Sequence, residues 1–192
     1  MALGTQEWRD EEGRLHRDGD LPALTESDGT QYWYQHGKLH RDGNLPAVMT
    51  VYGYYSYYKH GERHRDGDLP AIVDPRDGWQ EWFQHGKRHR DGDLPAVVDP
   101  RFGWQEWYRH DKRHRDGGLP AIIRANGVQR WYQHGNLHRD GDMPAIIHPD
   151  RTQEWYVHGM RQSDADRAAT RRWSPLRAAF VGAVAMCAPC TT

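Results

Sequence analysis

The chain has 192 residues, 36% of them hydrophobic and 28% charged, with 26 Lys and Arg against 27 Asp and Glu. A mean hydropathy of -1.03 leaves little material for a thick central core, and a net charge near zero lacks the basic field that a nucleic-acid backbone requires. Both cysteines, Cys187 and Cys190, sit at the far C-terminal end, so no disulfide framework holds the rest of the chain.

The first residues, Met1 to Glu12, carry no basic stretch followed by an apolar one, so no secretory signal is expected and the expected compartment is cytoplasmic. From Trp8 onward the chain repeats itself. His-Arg-Asp-Gly begins at His16, His40, His64, His89, His114 and His138, at spacings of 24, 24, 25, 25 and 24 residues. An aromatic keeps the same period at Trp8, Trp33, Tyr57, Trp82, Trp107, Trp131 and Trp155. Such a period marks an array in which each unit is stabilised by its neighbours. Residues 1–162 form this array, six full units and a terminal half unit, and residues 163–192 are a separate tail.

One unit shows the expected local structure. In Trp79 to Gly103, aromatic and β-branched residues lie between Gly, Asp and Pro clusters, which predicts short strands and an all-β fold. His85-Gly86 suits a two-residue type I′ turn, because both positions need positive φ and His tolerates it. Equivalent pairs stand at His36-Gly37, His60-Gly61, His110-Asp111, His134-Gly135 and His158-Gly159. A hairpin centred there sets Phe83 opposite Arg88, Trp82 opposite His89 and Glu81 opposite Arg90, with Glu106 opposite Arg115 one unit later. It stacks Trp33 on His40, Tyr57 on His64, Trp107 on His114 and Trp131 on His138; it also sets Arg130 against Arg139, an unfavourable pair. Gly-Asp-Leu-Pro-Ala then bends the chain, and Asp99 to Gly103 reverses it. The expected architecture is an elongated antiparallel meander of stacked hairpin repeats.

An aromatic pair followed by x-His-Gly-Lys-x-His-Arg and Gly-x-Leu-Pro-Ala-Ile resembles the variant MORN-type repeats of large DNA viruses, phages and bacteria. The resemblance implies an elongated sheet of hairpins used as a scaffold. This chain departs from the usual pattern in carrying His-Arg-Asp-Gly-Asp-Leu-Pro-Ala, which argues against the lipid binding sometimes proposed for such repeats.

The charged motifs read as structural. His-Arg-Asp is the catalytic-loop triplet of protein kinases, but the accompanying kinase motifs are missing and a catalytic triplet does not recur six times. Twelve of the 13 histidines fall on two repeat positions, one in a turn and one facing Trp, so His-x-x-x-His is not a zinc pair here. Asp-Gly-Asp at Asp18, Asp66, Asp91 and Asp140 reads as a turn with a solvated or Arg-paired carboxylate, not as a calcium loop. No catalytic residue, metal or cofactor is expected.

Trp33, His40, Trp82, His89, Trp107, His114, Trp131 and His138 are therefore expected on the packed face. A second aromatic column, Tyr34, Tyr58, Phe83, Tyr108, Tyr132 and Tyr156, is expected on a half-wet face, with Tyr54 in a tyrosine-rich third unit, and is the candidate interaction face. In the tail, Ser163 with Asp164 and Asp166 predicts a helix N-terminus, Ser174-Pro175 a second, and Ala178 to Ala188 an apolar cap on the last hairpin; disorder is the competing reading. Cys187-Ala188-Pro189-Cys190 has redox-motif spacing without a thioredoxin-like setting. The sequence thus favours a non-catalytic scaffold for an unidentified protein partner, with no nucleic-acid partner. A repeat lectin-like or small-ligand binder is the alternative, and a membrane-surface tether ranks behind both.

Overall fold

The computed structural model describes residues 4–172, and the fold is nearly all β, an antiparallel meander with one short helix at its end. Thirteen strands form a single continuous sheet, in which each strand pairs with the one before and the one after among the main-sheet strands. Six further two-stranded hairpins stand beside it, from Tyr34–Gln35 with Lys38–Leu39 to Tyr156–Val157 with Met160–Arg161. Each full unit from the second onward therefore contains four short strands.

The residue that divides them is the first aromatic. Trp82 follows the main-sheet strand Trp79–Glu81 and precedes the hairpin strand Phe83–Gln84. Its N–H donates to the Ala96 carbonyl in the main sheet, and its own carbonyl accepts from His89 N–H in the hairpin. Trp33, Tyr57, Trp107 and Trp131 make the same two bonds. The alanine of Leu-Pro-Ala, or of Met-Pro-Ala in the sixth unit, is fully enclosed at this point, at 0% exposure in Ala23, Ala47, Ala71, Ala96, Ala121 and Ala145. A close-packed site of this kind admits no larger side chain without moving backbone.

Cross-strand neighbours divide the main sheet into two faces, since successive residues of a strand alternate. Ile72, Glu81, Val97, Glu106 and Ile122 pair in one row and are buried. Val73, Gln80, Val98, Gln105 and Ile123 pair in the next row, on the opposite face, and are half-buried or exposed. The 25-residue units place their extra residue at the Asp74 to Trp79 and Asp99 to Trp104 reversals, where the ladder gains the pairs Asp74 with Trp79 and Asp99 with Trp104.

The hairpin turn is where the sequence places it. His85 and Gly86 have φ of 47° and 75°, and His110 with Asp111 reaches 49° and 65° without a glycine. Phe83 pairs with Arg88, as expected. The next expected pair, Trp82 with His89, keeps one backbone bond, from His89 N–H to Trp82 O, and the expected register fails beyond it, because the chain changes partner at Trp82. Glu81 lies between Ile72 and Val97, and Glu106 between Val97 and Ile122. Arg130 likewise pairs with Ile122 and Ile146, which removes the unfavourable Arg130 and Arg139 opposition.

Helix α1, Asp164–Arg172, follows the last hairpin. Ser163 is its cap: Ser163 Oγ accepts Asp166 N–H at 3.2 Å, and the Asp166 carboxylate accepts Ser163 N–H at 2.9 Å. Gln162 donates its N–H to Trp155 O, the bond that the loop histidine makes in earlier units. Arg167 lies over the Trp155 ring at 3.4 Å, so the helix supplies the guanidinium that a seventh His-Arg-Asp-Gly would have carried. The expected apolar cap at Ala178 to Ala188, the second helix start and the two cysteines lie outside the described residues.

Trp107 is 6% exposed and Tyr108 is half-buried. Trp107→Ala is expected to cost about 3 to 5 kcal/mol and Tyr108→Ala clearly less, as read by denaturant titration. Equal losses would show that the two columns contribute equally to packing.

Candidate functional site

The repeated residues converge on the joints between units. At each joint the imidazole of one unit's loop and the imidazole of the next unit's turn lie ring on ring, with centroids 4.2 to 4.9 Å apart from His16 with His36 to His138 with His158. The turn histidine donates its backbone N–H to Nδ1 of the loop histidine, at 3.2 Å for His60 to His40 and 3.3 Å for His110 to His89. A backbone N–H can only donate, so Nδ1 must be the acceptor and Nε2 carries the proton. That Nε2–H is bonded to the aspartate two residues on, at 3.1 Å for His40 to Asp42 and 3.0 Å for His89 to Asp91. The next turn amide, such as Gly61 N–H or Gly135 N–H, donates to a backbone carbonyl of the preceding hairpin, at 2.8 and 2.9 Å.

The expected stacking of Trp on the loop histidine is replaced by stacking of arginine. The Arg of His-Arg-Asp-Gly lies over the first aromatic of its own unit, at 3.9 Å for Arg41 on Trp33, 3.8 Å for Arg90 on Trp82 and 3.8 Å for Arg139 on Trp131. Its Nη1–H donates to the carbonyl of the following proline, as Arg90 does to Pro95 at 3.3 Å. The second aspartate of the preceding unit completes the joint. Asp93, left-handed at φ 54°, accepts Trp107 Nε1–H on its carbonyl at 3.0 Å and grips Arg115 Nε and Nη2 with its carboxylate at 2.9 and 3.0 Å. One residue thereby holds both the ring and its cover.

The second aromatic column forms an alternating row with arginine across successive hairpins. Arg88 lies 5.4 Å from the Phe83 centroid and 5.7 Å from that of Tyr108; Arg113 lies between Tyr108 and Tyr132 at 5.5 and 5.6 Å. Its charge is met by glutamates of the main sheet, through Arg88 Nε to Glu81 at 2.7 Å and Arg113 Nε to Glu106 at 3.0 Å. These are the partners that the expected Glu81 with Arg90 and Glu106 with Arg115 register misassigned. Tyr108 O–H donates to Glu106 at 2.6 Å, and burial together with that carboxylate pushes the phenol well above its usual range.

Of the proposed packed residues, Trp33, Trp82, Trp107, Trp131, His40, His89 and His138 are buried, whereas His114 is half-buried. Of the proposed interaction face, Tyr34, Tyr54, Tyr58, Tyr108, Tyr132 and Tyr156 are half-buried, but Phe83 is enclosed at 5% exposure. Phe83 belongs to a core cluster with Tyr57, Ala71 and Ile72, against which the partly buried Tyr54 and Tyr55 also pack, whereas Tyr52 of the same unit is 67% exposed. A regular exposed apolar row is one that the sequence reading passed over: Leu21, Leu45, Leu69, Leu94, Leu119 and Met143, all at 42 to 47% exposure. The signal was the Leu or Met before the Pro-Ala of every unit, read only as part of a bend.

Small clefts recur between consecutive loops. One of about 400 Å³ lies between the loops of His16 and His40, one of about 150 Å³ between those of His40 and His64, and one of about 70 Å³ between those of His89 and His114. Each is lined by His, Arg and Asp of both loops and by the aromatic pair between them. A larger open hollow of about 830 Å³ lies at the reversals, around Phe102, Trp104 and Arg124. Among the described residues no group of three or more His, Cys, Asp or Glu is placed to hold a metal ion, and no helix is long and apolar enough to cross a membrane. Compared with models of known protein families and with curated proteins, the chain matches none.

Hydrogen bonds from Gln84 and His89 hold the Asp91 carboxyl below the ordinary 3.8, and His114 with Arg109 does the same for Asp116. A carboxyl whose folded pKa is depressed contributes stability while ionised, above about pH 4, and loses it as pH falls through the folded value. Thermal melts from about pH 7 to about pH 3 should therefore show Asp91→Asn less stable at neutrality but less sensitive to acid than the natural chain. Parallel acid slopes in the two proteins would contradict this role for Asp91.

Proposed function

We propose that the array is a non-catalytic scaffold that holds a protein partner along its repeated outer surface. The row of Leu21, Leu45, Leu69, Leu94, Leu119 and Met143 supports this reading most directly. With two main-sheet strands per unit at about 4.8 Å each, these side chains recur about every 10 Å. Regular apolar exposure is the kind of feature that marks an interaction site, and the half-buried rings of Tyr34, Tyr58, Tyr108, Tyr132 and Tyr156 are aromatic anchors of the type enriched in such surfaces. The resemblance to MORN-type repeats points the same way. A non-enzymatic role agrees with the loop histidines, whose two ring nitrogens are both bonded within the fold. A protein partner in the cytoplasm fits the balanced charge better than nucleic acid does. A membrane surface is the less favoured target.

The recurring clefts favour a second reading, a repeat binder of small ligands, although at about 70 to 400 Å³ they are small beside ordinary ligand pockets. Affinity capture on the full chain, repeated with a Leu69→Ser, Leu94→Ser, Leu119→Ser variant of unchanged circular dichroism, separates the two. A scaffold predicts an identifiable protein retained at about one per chain by the natural sequence and lost by the variant. Retention by both, several small-ligand equivalents per chain, or recovery of anionic vesicles alone would contradict it.

A further inference from the structure

The joints are alike except in one contact, and the exceptions expose a binding group. At three joints an aspartate in the left-handed position of one loop grips the next unit's arginine through Nε and Nη2: Asp20 with Arg41 at 2.6 and 3.0 Å, Asp68 with Arg90 at 2.8 and 3.0 Å, and Asp93 with Arg115 at 2.9 and 3.0 Å. At the end of the array Asp142 stands 3.6 Å from Arg167. Two units break the series, with Asn44 before Arg65 and Gly118 before Arg139. At those two joints the arginine Nε is buried with no hydrogen-bond partner, as is Arg167 Nε beside Asp142 at the end of the array, a costly state for a donor on a charged group.

The Asn44 position is still filled by a side chain, whose amide donates to Asp66 O at 3.4 Å. The Gly118 position is vacant. A Cβ there would meet nothing within 4 Å, and its φ of 68° is close to the 54° to 56° that Asp20, Asp93 and Asp142 adopt at equivalent places. The rest of the joint is intact. Trp131 Nε1–H donates to Gly118 O at 2.7 Å, Arg139 lies over Trp131 at 3.8 Å, and Arg139 Nη1–H donates to Pro144 O at 3.4 Å.

We propose that the joint between Gly118 and Arg139 is a carboxylate-binding niche. Relative to aspartate, glycine lacks a carboxymethyl group, and the three intact joints show how a carboxylate sits against the same edge of the same residue type. The planar fork of Nε and Nη2 matches a two-oxygen acid. Burial without a facing carboxylate also pushes the Arg139 guanidinium below its ordinary value, in accord with a cation lacking its counter-charge. The carboxylate can come from a small free acid or from the end or an acidic side chain of a bound polypeptide; the group recognised is the same. This inference stands on the joint geometry and not on the scaffold reading.

The test uses the full chain and acetate as probe, following the Arg Nε–H resonances by NMR in sodium acetate against sodium chloride at equal ionic strength. Acetate should shift the Arg139 Nε–H saturably. Gly118→Asp should supply the group internally, raise the thermal midpoint and weaken the acetate response about tenfold or more. Asp93→Gly should open a matching niche and give Arg115 a response that it lacks in the natural chain. A short peptide, offered with a free and then an amidated C-terminus, separates the sources: a shift at lower concentration for the free form alone assigns a polypeptide end, and a response to acetate alone assigns a small acid. An Arg139 Nε–H unmoved by every probe, or moved equally in Gly118→Asp, overturns the proposal.

Discussion

Each two-residue turn in this array leaves two backbone amides with no acceptor in their own hairpin, and both find one in the unit before. His85 N–H reaches Nδ1 of His64, and Gly86 N–H reaches the Arg63 carbonyl. Both bonds run between units, so a hairpin of this shape gains them only when a predecessor presents an imidazole nitrogen and a carbonyl at the right height. That requirement sets the loop histidine's tautomer and binds its other nitrogen to the aspartate beyond it. It also explains why the turn residue is histidine where asparagine would serve the backbone equally well. The ring is needed for the stack.

The same economy governs the Arg and Trp layer. Asp93 uses its left-handed backbone to present a carbonyl to Trp107 and its side chain to hold Arg115 over that ring. Neither contact exists within a single unit. The array is therefore stabilised at its joints, as stacked repeats generally are, and its ends need substitutes. At the C-terminal end Gln162 takes the position of the loop histidine's amide, and Arg167 from the helix covers Trp155. Beside its exposed charges, the outer surface carries the leucine row as its regular apolar feature.

Much of this was legible in the sequence. The period, the left-handed His-Gly turns, the burial of the first aromatic column, the Arg-paired aspartate and the helix start at Ser163 all follow from local rules. The division of each unit into a main-sheet strand and a hairpin strand was not, because an aromatic such as Trp82 between two-residue strands reads as the middle of one longer strand. Every misassigned pair follows from that. Glu81 seemed to face Arg90 because a continuous ladder was assumed past Trp82, whereas the chain changes partner there and Glu81 meets Arg88. The stack of His89 on His110 joins residues about 20 apart and leaves no local pattern. A signal did exist: both histidines keep one period, and the loop series stops at Gln162, where no further turn follows.

The central claim is that the loop histidines hold successive units together through an unprotonated Nδ1. Long-range proton–nitrogen NMR of the imidazoles, combined with amide exchange at the turn residues, tests this most directly. The account predicts the Nε2–H tautomer for His40, His64, His89, His114 and His138, with protected amides at His60, His85, His110, His134 and His158. A proton on Nδ1 in those loop histidines, or turn amides that exchange as freely as those of the outer loops, would contradict it.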